Sequence, residues 1–331
     1  MTGEADPQSL AGRRVLVTGG SGFIGSHVIP ALLAQGAVVS SVDLVEPAQS
    51  VPGVPTLIGD LTNPDVVQAA VADDIESVVH LAAATSVLVS IERPARTMDV
   101  NVTATAALLE RCREVGVGSF VFASTNAVAG PVPPDRRIDE QVVLRPLTPY
   151  GASKAAAEML MSAYTAVYGV RCVPLRFTNV YGPGMTGKDS IVARIMRAAL
   201  SDGGMTVYGA GKQVRDYVYV EDVAEAVSLA VRRSDIDGPV VIGAGESYSV
   251  LDILALARGA TGAALPAEHV PAKAGEMPRV IVDPSYARSL GWQPAVDLTE
   301  GLRRVWEWWP RDHAAAQSDQ SGKPAQLAGQ A

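Results

Sequence analysis

The segment "VLVTGGSGFIGSH" restricts the fold more than any other part of this chain. An apolar, β-branched stretch runs straight into glycines at 19, 22 and 25 and then into a helix-forming sequence. In such a turn Gly19 allows the tight reversal, Gly22 lets backbone approach a pyrophosphate, and Gly25 lets helix and strand pack closely. The helix start adds free N–H groups and the positive end of its dipole, which suits phosphate. Asp43 closes the next apolar stretch, "AVVSSVD". A carboxylate about twenty residues beyond the glycines hydrogen-bonds an adenosine ribose and repels a 2′-phosphate. The spacing therefore predicts a dinucleotide site that favours NAD over NADP. Asp60, after "LIG", ends a third stretch and is expected to face the adenine, or else to be an ordinary loop carboxylate.

The pattern continues as an alternation. "RRVLVTG", "AVVSSVD", "PTLIGD", "ESVVHLAAA", "SFVFAST" and "GVRCVPLRF" read as six short strands, apolar throughout and separated by helical segments. Such strands belong to a parallel sheet covered on both faces, an α/β doubly wound architecture. Pro30 is expected to bend the first helix. A long helix is predicted from about Pro94 to Val115. After about Thr178 the rhythm loosens, and "RDYVYVEDVAEAVSLAVRR" reads as a turn, a strand and a helix that return to the sheet. The expected organisation is a flexible leader over 1–11 and a dinucleotide domain over 12–178 with a return segment at about 217–242. A smaller interleaved C-terminal lobe takes 179–216 and 243–310, and a disordered tail 313–331.

Apolar residues make up 48% and charged residues 19%, which places the chain among globular proteins. No run of eighteen apolar residues is present, so no membrane span is expected, and "MTGEADPQSLAGRR" lacks the apolar core of a secretory signal. A net charge of −8 argues against nucleic acid as the main partner. Cys112 and Cys172 stand in apolar segments without metal-ligand spacing and read as buried thiols of a reducing cytoplasm.

"TPYGASKAAAE" places one of only five lysines four residues after a tyrosine. Tyr150 and Lys154 are one helical turn apart and share a face. A phenol titrates near 10, and a neighbouring ammonium together with a cationic nicotinamide would bring it toward neutrality, as a general base requires. Lys154 would also hold the nicotinamide ribose. The pair alone is common by chance. Ser124 and Thr125 strengthen it, because they end the fifth strand, and ligands of parallel sheets sit at carboxyl ends. A hydroxyl there can pass a proton between substrate and Tyr150.

With these motifs the chain resembles the extended short-chain dehydrogenase/reductases, in particular the NAD-dependent nucleotide-sugar epimerase/dehydratase family, and within it the UDP-glucose 4-epimerases. The resemblance rests on "TGGSGFIG", "HLAAATS", "NVTATAALLE", "ASTNAVAG", "PYGASK", "RFTNVYGPG" and "RDYVYVEDVAEA", with "GWQPAVDLTEGLRRVWEWW" near the end. It implies a Rossmann-type fold, NAD, a nucleotide-sugar substrate, a cytoplasmic location and a homodimer built through a four-helix bundle. It implies that Phe23, Ile24, Leu61, Leu81, Ala82, Ala83 and Asn101 line the cofactor site, Asn101 also supporting the active site from the long helix. Asn179 and Arg215 would contact the substrate diphosphate, for which a guanidinium fork is suited. For Arg215 a salt bridge to Asp216 is the plainer reading. Lys273 stands where relatives often carry an arginine for the same phosphates, and Lys188 is a further candidate contact. Val280 would gate the space around the sugar C2 substituent, and its small size implies tolerance of N-acetylated hexoses.

The branch of chemistry turns on two positions. In the family's dehydratases an acid pair follows the catalytic threonine, and decarboxylases usually keep a Glu at the second position. Here Asn126 and Ala127 stand there, and neither takes a proton from carbon. The expected activity is therefore 4-epimerisation of a nucleotide sugar, with Asn126 against the substrate, and the resemblance implies a UDP-hexose. Alternatives are an NDP-4-ketosugar reductase, a dehydratase or decarboxylase, and a silent dinucleotide sensor. The sensor is disfavoured because Tyr150 and Lys154 are both kept.

Overall fold

A computed structural model of the chain describes residues 9–133, 135–272 and 279–320, with side chains as far as residue 309. In chain order the elements are β1 (Arg14–Thr18), α1 (Gly25–Ala34), β2 (Val38–Asp43), β3 (Thr56–Ile58), α2 (Pro64–Ala70), β4 (Ser77–His80), α3 (Val87–Glu92) and α4 (Pro94–Met98). A π-helical turn over Asp99–Thr103 leads into α5 (Ala104–Val115), followed by β5 (Ser119–Thr125), α6 (Pro149–Tyr168), β6 (Arg171–Phe177) and β7 (Asn179–Tyr181). Then come α7 (Ile191–Leu200), β8 (Met205–Tyr208), β9 (Val214–Tyr219), α8 (Val220–Arg232), β10 (Val240–Ile242) and β11 (Ser247–Ser249). The last are α9 (Val250–Thr261), β12 (Ala267–Val270), α10 (Ser285–Ser289) and α11 (Leu298–Gln320).

The chain divides into two compact units. The first comprises residues up to Val180, Val214–Ser247 and a stretch ending at Ala295; the second comprises Tyr181–Gln213, Tyr248–Glu276 and residues from Val296 onward. The first unit holds a seven-stranded sheet in the order β10-β6-β5-β4-β1-β2-β3. Each pairing given for it is parallel, Val15 lying opposite Ser77 on one side and Val39 on the other. The order reverses at β1, so the carboxyl ends of β1 and β4 flank the crevice in which ligands of such sheets bind. The expected six strands are all present. β10 is the seventh; β9 pairs outside this sheet, and the return to it is made by α8 and β10.

Strand alternation divides the core in two. Val15 and Val17 face α1 and α8, while Leu16 faces the layer of α2, α5 and α6. Helix ends follow local chemistry. Asn63 caps α2 through the Asp65 N–H with Pro64 at the first position, and Thr148 caps α6 through the Gly151 N–H with Pro149 at the first position. Gly116 and Gly169 end α5 and α6 in the left-handed conformation. α1 continues through the exposed Pro30.

Three expectations are revised. Leu10, assigned to a loose leader, is 2% exposed and packs into the core beside Val15 and Leu32. The stretch ending at Ala295, assigned to the smaller lobe, belongs to the sheet unit: the Trp292 indole is buried and donates to the Asp222 carbonyl, and the Ala295 N–H donates to the Asp222 carboxylate. α11 runs to Gln320, so residues 313–320 continue a helix where a disordered tail was expected. The second unit contains the parallel pair β8–β12 and the helices α7, α9 and α11, with Trp309 fully buried in it. Among the described residues no helix is long and apolar enough to cross a membrane.

Candidate active site

The glycine turn joins β1 to α1 as its spacing requires. Gly19 has φ +73°, and a Cβ there would lie 2.7 Å from the Ala82 nitrogen in the segment after β4. A Cβ on Gly25 would lie 2.3 Å from the Gly19 carbonyl oxygen, so only glycine lets α1 start this close to the turn. At Gly22 a Cβ would meet only the Gly19 carbonyl oxygen, at 3.2 Å, leaving open space on its other sides. The turn is thus a cradle with room at its middle glycine, which fits a bound pyrophosphate. Asp43 anchors it: one carboxylate oxygen accepts the Ser21 N–H at 2.9 Å and the other the Leu44 N–H at 2.7 Å.

The remaining cofactor candidates differ in what they offer. The Phe23 ring stands edge-on to His27, and Ile24 and Leu81 are half-buried against the core. Ala82 donates its N–H to the Thr18 hydroxyl at 3.2 Å, and Ala83 is half-buried beside it. Leu61 packs its side chain into the core with Val42 and Val67. Asp60 accepts the Thr62 N–H and pairs with Arg96 at 3.0 Å; these partners hold its carboxyl below the usual range.

Thr125 ends β5, and its hydroxyl accepts the Ala127 N–H at 3.2 Å. Tyr150 starts α6 half-buried, its N–H donating to the Ser90 hydroxyl at 3.2 Å. Burial pushes the Tyr150 phenol up to about 12, and a hydrogen bond with Thr125 pulls the other way. α6 packs against β5 and the turn that follows it, so Tyr150 and Thr125 lie on elements in contact. Lys154 is 2% exposed, donates to the Ala123 carbonyl at 2.8 Å and lies 4.3 Å over the Phe122 ring. Its burial lowers it to about 7, opposed by the Glu158 carboxylate.

That shift has a consequence for stability. Lys154 is depressed in the fold and ordinary when unfolded, so between about pH 7 and about pH 10.5 the unfolded chain binds the extra proton. Stability from this group therefore rises with pH across that window. The melting temperature of the wild type, measured against Lys154→Met, is expected to climb by several degrees from about pH 7 to about pH 10; a pH-independent difference would contradict the assignment.

Asn101 lies on the π-helical turn, 1% exposed. Its carboxamide accepts the Ala84 N–H at 2.8 Å and donates to the Ala84 carbonyl at 3.0 Å and to the Ser153 hydroxyl at 2.9 Å. Both of its N–H donors are thus taken by protein, and they brace the segment after β4 against α6.

Two substrate assignments are corrected. Ser124 is 3% exposed and its hydroxyl donates to Glu158 at 2.5 Å. Successive strand residues point to opposite faces, so Ser124 turns inward where Thr125 turns to the site. Val280 is 2% exposed and packed among Ala129, Ile138, Val241 and Val282, a core position that leaves no open gate. Asn126 is half-buried and accepts from the Thr125 hydroxyl at 3.4 Å. Asn179 donates to the Asp216 carbonyl, and Arg215 to the carbonyl of Val214. The Asp216 carboxylate accepts from Thr178, Ala244 and Gly245, and burial raises it to about 6. Lys188 lies in the second unit, lowered by burial. Lys273 lies outside the described residues.

The sequence reading missed Glu158 and Arg176. Glu158 is eight residues beyond Tyr150 on the same helix and forms a buried two-pronged pair with Arg176, whose closest contact is 2.8 Å. The signal was present: a charge inside the apolar strand "RCVPLRF" needs a buried partner, and Lys154 and Glu158 are one turn apart.

The model of the "NAD dependent epimerase/dehydratase family" matches residues 15–243. This chain belongs to that family. The match covers the sheet unit's glycine turn, Thr125, Tyr150 and Lys154. A UDP-glucose 4-epimerase of Mycolicibacterium smegmatis is 32% identical over 307 residues, covering 89% of this chain and 98% of that protein. The crystal structure of a Thermus thermophilus UDP-glucose 4-epimerase in complex with NAD is similar at TM-score 0.84 and 38% identity, over 90% of this chain and 99% of that one. A Thermotoga maritima UDP-glucose 4-epimerase with UDP-glucose is similar at TM-score 0.86 and 32% identity, over 91% and 99%.

Proposed function

We propose that this protein is an NAD-dependent nucleotide-sugar 4-epimerase acting on a UDP-hexose through a transient 4-keto sugar. One observation carries the choice of reaction: Thr125 ends β5, the helix α6 that carries Tyr150 packs against β5 and the turn after it, and the positions after Thr125 hold Asn126 and Ala127. The site therefore has a proton relay for a hydroxyl and, at those two positions, no acid or base for carbon. UDP-sugar 4-epimerases among the similar proteins support the nucleotide.

The residues present fit NAD. The glycine cradle and the start of α1 would hold its pyrophosphate, Asp43 its adenosine ribose, and Tyr150 with Lys154 its nicotinamide ribose. When bound, NAD supplies the acceptor for hydride and a positive ring. Tyr150 takes the proton of the sugar 4-hydroxyl, with Thr125 as the hydroxyl between them, and returns it to the 4-oxygen after the sugar has presented its other face. Asn179 and Arg215 would hold the diphosphate. The reading extends to a cytoplasmic homodimer. It is supported by two buried free thiols and by exposed apolar side chains on α3 and α6, among them Leu88, Ile91, Met159 and Val167.

The test is incubation of the purified protein and catalytic NAD with UDP-glucose, UDP-galactose, their N-acetyl forms, UDP-glucuronate and TDP-glucose. An isomer of unchanged mass supports epimerisation and names the sugar. Loss of water or of carbon dioxide assigns a dehydratase or a decarboxylase, and no conversion of any substrate refutes the reading.

A further inference from the structure

His80 ends the buried strand β4, and each of its ring nitrogens holds a different part of the site. Nδ1 lies 2.7 Å from the Thr18 hydroxyl at the end of β1, and Nε2 lies 3.0 Å from the Thr105 hydroxyl on α5. The neighbours fix every proton along this line. Thr105 donates to the Asn101 carbonyl at 2.8 Å, so toward His80 it accepts, and Nε2 carries the ring hydrogen. Nδ1 is then the acceptor and Thr18 its donor. The Thr18 oxygen in turn accepts the Ala82 N–H, in the segment beside Gly19.

Beyond Thr105 the line reaches the catalytic helix. Asn101 donates to Ser153, and Ser153 donates to the Tyr150 carbonyl at 2.8 Å. We propose that His80 is a positioning residue that ties the dinucleotide turn to the catalytic helix, through Thr18 and Ala82 on one side and through Thr105, Asn101 and Ser153 on the other. The inference rests on the epimerase reading for what Tyr150 does and on the geometry alone for the coupling. The ring is 1% exposed and packed near Phe120 and Phe122. Burial, with a smaller contribution from Lys154, lowers it to about 3, so the one-donor, one-acceptor form that both threonines require persists at neutral pH.

A histidine that merely fills the core would act on both sides alike. The two amide side chains separate the cases, because Asn places its amide near Nδ1 and Gln places its amide near Nε2. NAD affinity, turnover at saturating NAD and amide exchange over residues 148–158 would be measured on His80→Asn and His80→Gln. His80→Asn keeps the Thr18 link; NAD Kd should stay within about twofold, while turnover falls about tenfold and the 148–158 segment exchanges faster. His80→Gln keeps the Thr105 link; NAD Kd should weaken about tenfold, with turnover within about threefold. Should either variant fail to fold, Thr105→Val and Thr18→Val make the same two cuts from the other ends. Equal changes on both sides in both variants, or no change in either, would overturn the proposal. If the wild type epimerises nothing, the functional reading fails by itself, and the split is still read from NAD affinity against exchange.

Discussion

Replacing Tyr150 with phenylalanine is expected to lower turnover by about a thousandfold, while NAD affinity falls by no more than about tenfold for the ribose contact that the hydroxyl would also make. The phenol is the one group at this position that exchanges a proton with a sugar hydroxyl, whereas the ring and helix that position it survive the change. Its own chemistry explains the size of the effect. Burial holds the phenol near 12 in the protein alone, about five units above neutrality, or roughly 7 kcal/mol for ionisation. Only the phenolate can accept the sugar's proton, so the positive charge that would arrive with the cofactor has to lower the phenol before it acts as a base. Thr125 is the side chain that already pulls the phenol down, so Thr125→Val is expected to share the defect at a smaller scale, about tenfold to a hundredfold. Steady-state rates at saturating nucleotide sugar, with NAD binding followed separately, test this. Tyr150→Phe retaining more than about a tenth of wild-type turnover would remove the phenol from the mechanism, and a parallel collapse of NAD binding would show a structural role.

What was legible in the sequence was short-range or periodic. The turn at 19, 22 and 25 could be read because each glycine answers a separate steric demand within a few residues of its neighbours. Tyr150 and Lys154 could be read because a helix sets their common face, and Thr125 because strand ends carry ligands in parallel sheets. Misreadings came where one further local rule was not applied or where the contact was distant. Ser124 and Thr125 cannot both face the site, since adjacent strand residues diverge. Val280 was placed by resemblance alone, which contains nothing about the core it enters with Ile138 and Val241. The stretch ending at Ala295 joins the sheet unit through Trp292 and Asp222, seventy positions apart, and no periodicity encodes such a contact. Lys154 was expected to act on Tyr150 as a charge; burial, which depends on the whole fold, lowers its own affinity for the proton first.

Glu158→Gln is expected to cost roughly 3–5 kcal/mol of folding stability, the largest effect of any substitution outside the reacting groups. Glu158 and Arg176 are both almost fully buried, at 6% and 4% side-chain exposure, and each accounts for the other. Arg176 also donates to the Asp139 and Glu140 carbonyls, and Glu158 accepts from Ser124. Removing the carboxylate charge leaves a guanidinium in a low-dielectric interior with only neutral acceptors, a cost well beyond one lost hydrogen bond. The pair as a whole is a different matter, since its desolvation offsets much of its attraction. Glu158→Gln combined with Arg176→Met, which removes both charges and keeps most of the volume, should therefore recover more than about half of the loss. Ser124→Ala, which deletes one donor and leaves the ion pair, should cost only about 1 kcal/mol. Urea unfolding of the wild type and the three variants gives the comparison. A single variant no less stable than a surface substitution would mean that water reaches the pair. A double variant no more stable than Glu158→Gln alone would mean that the pair stabilises the fold outright, and that β5, β6 and α6 depend on its charge as well as its shape.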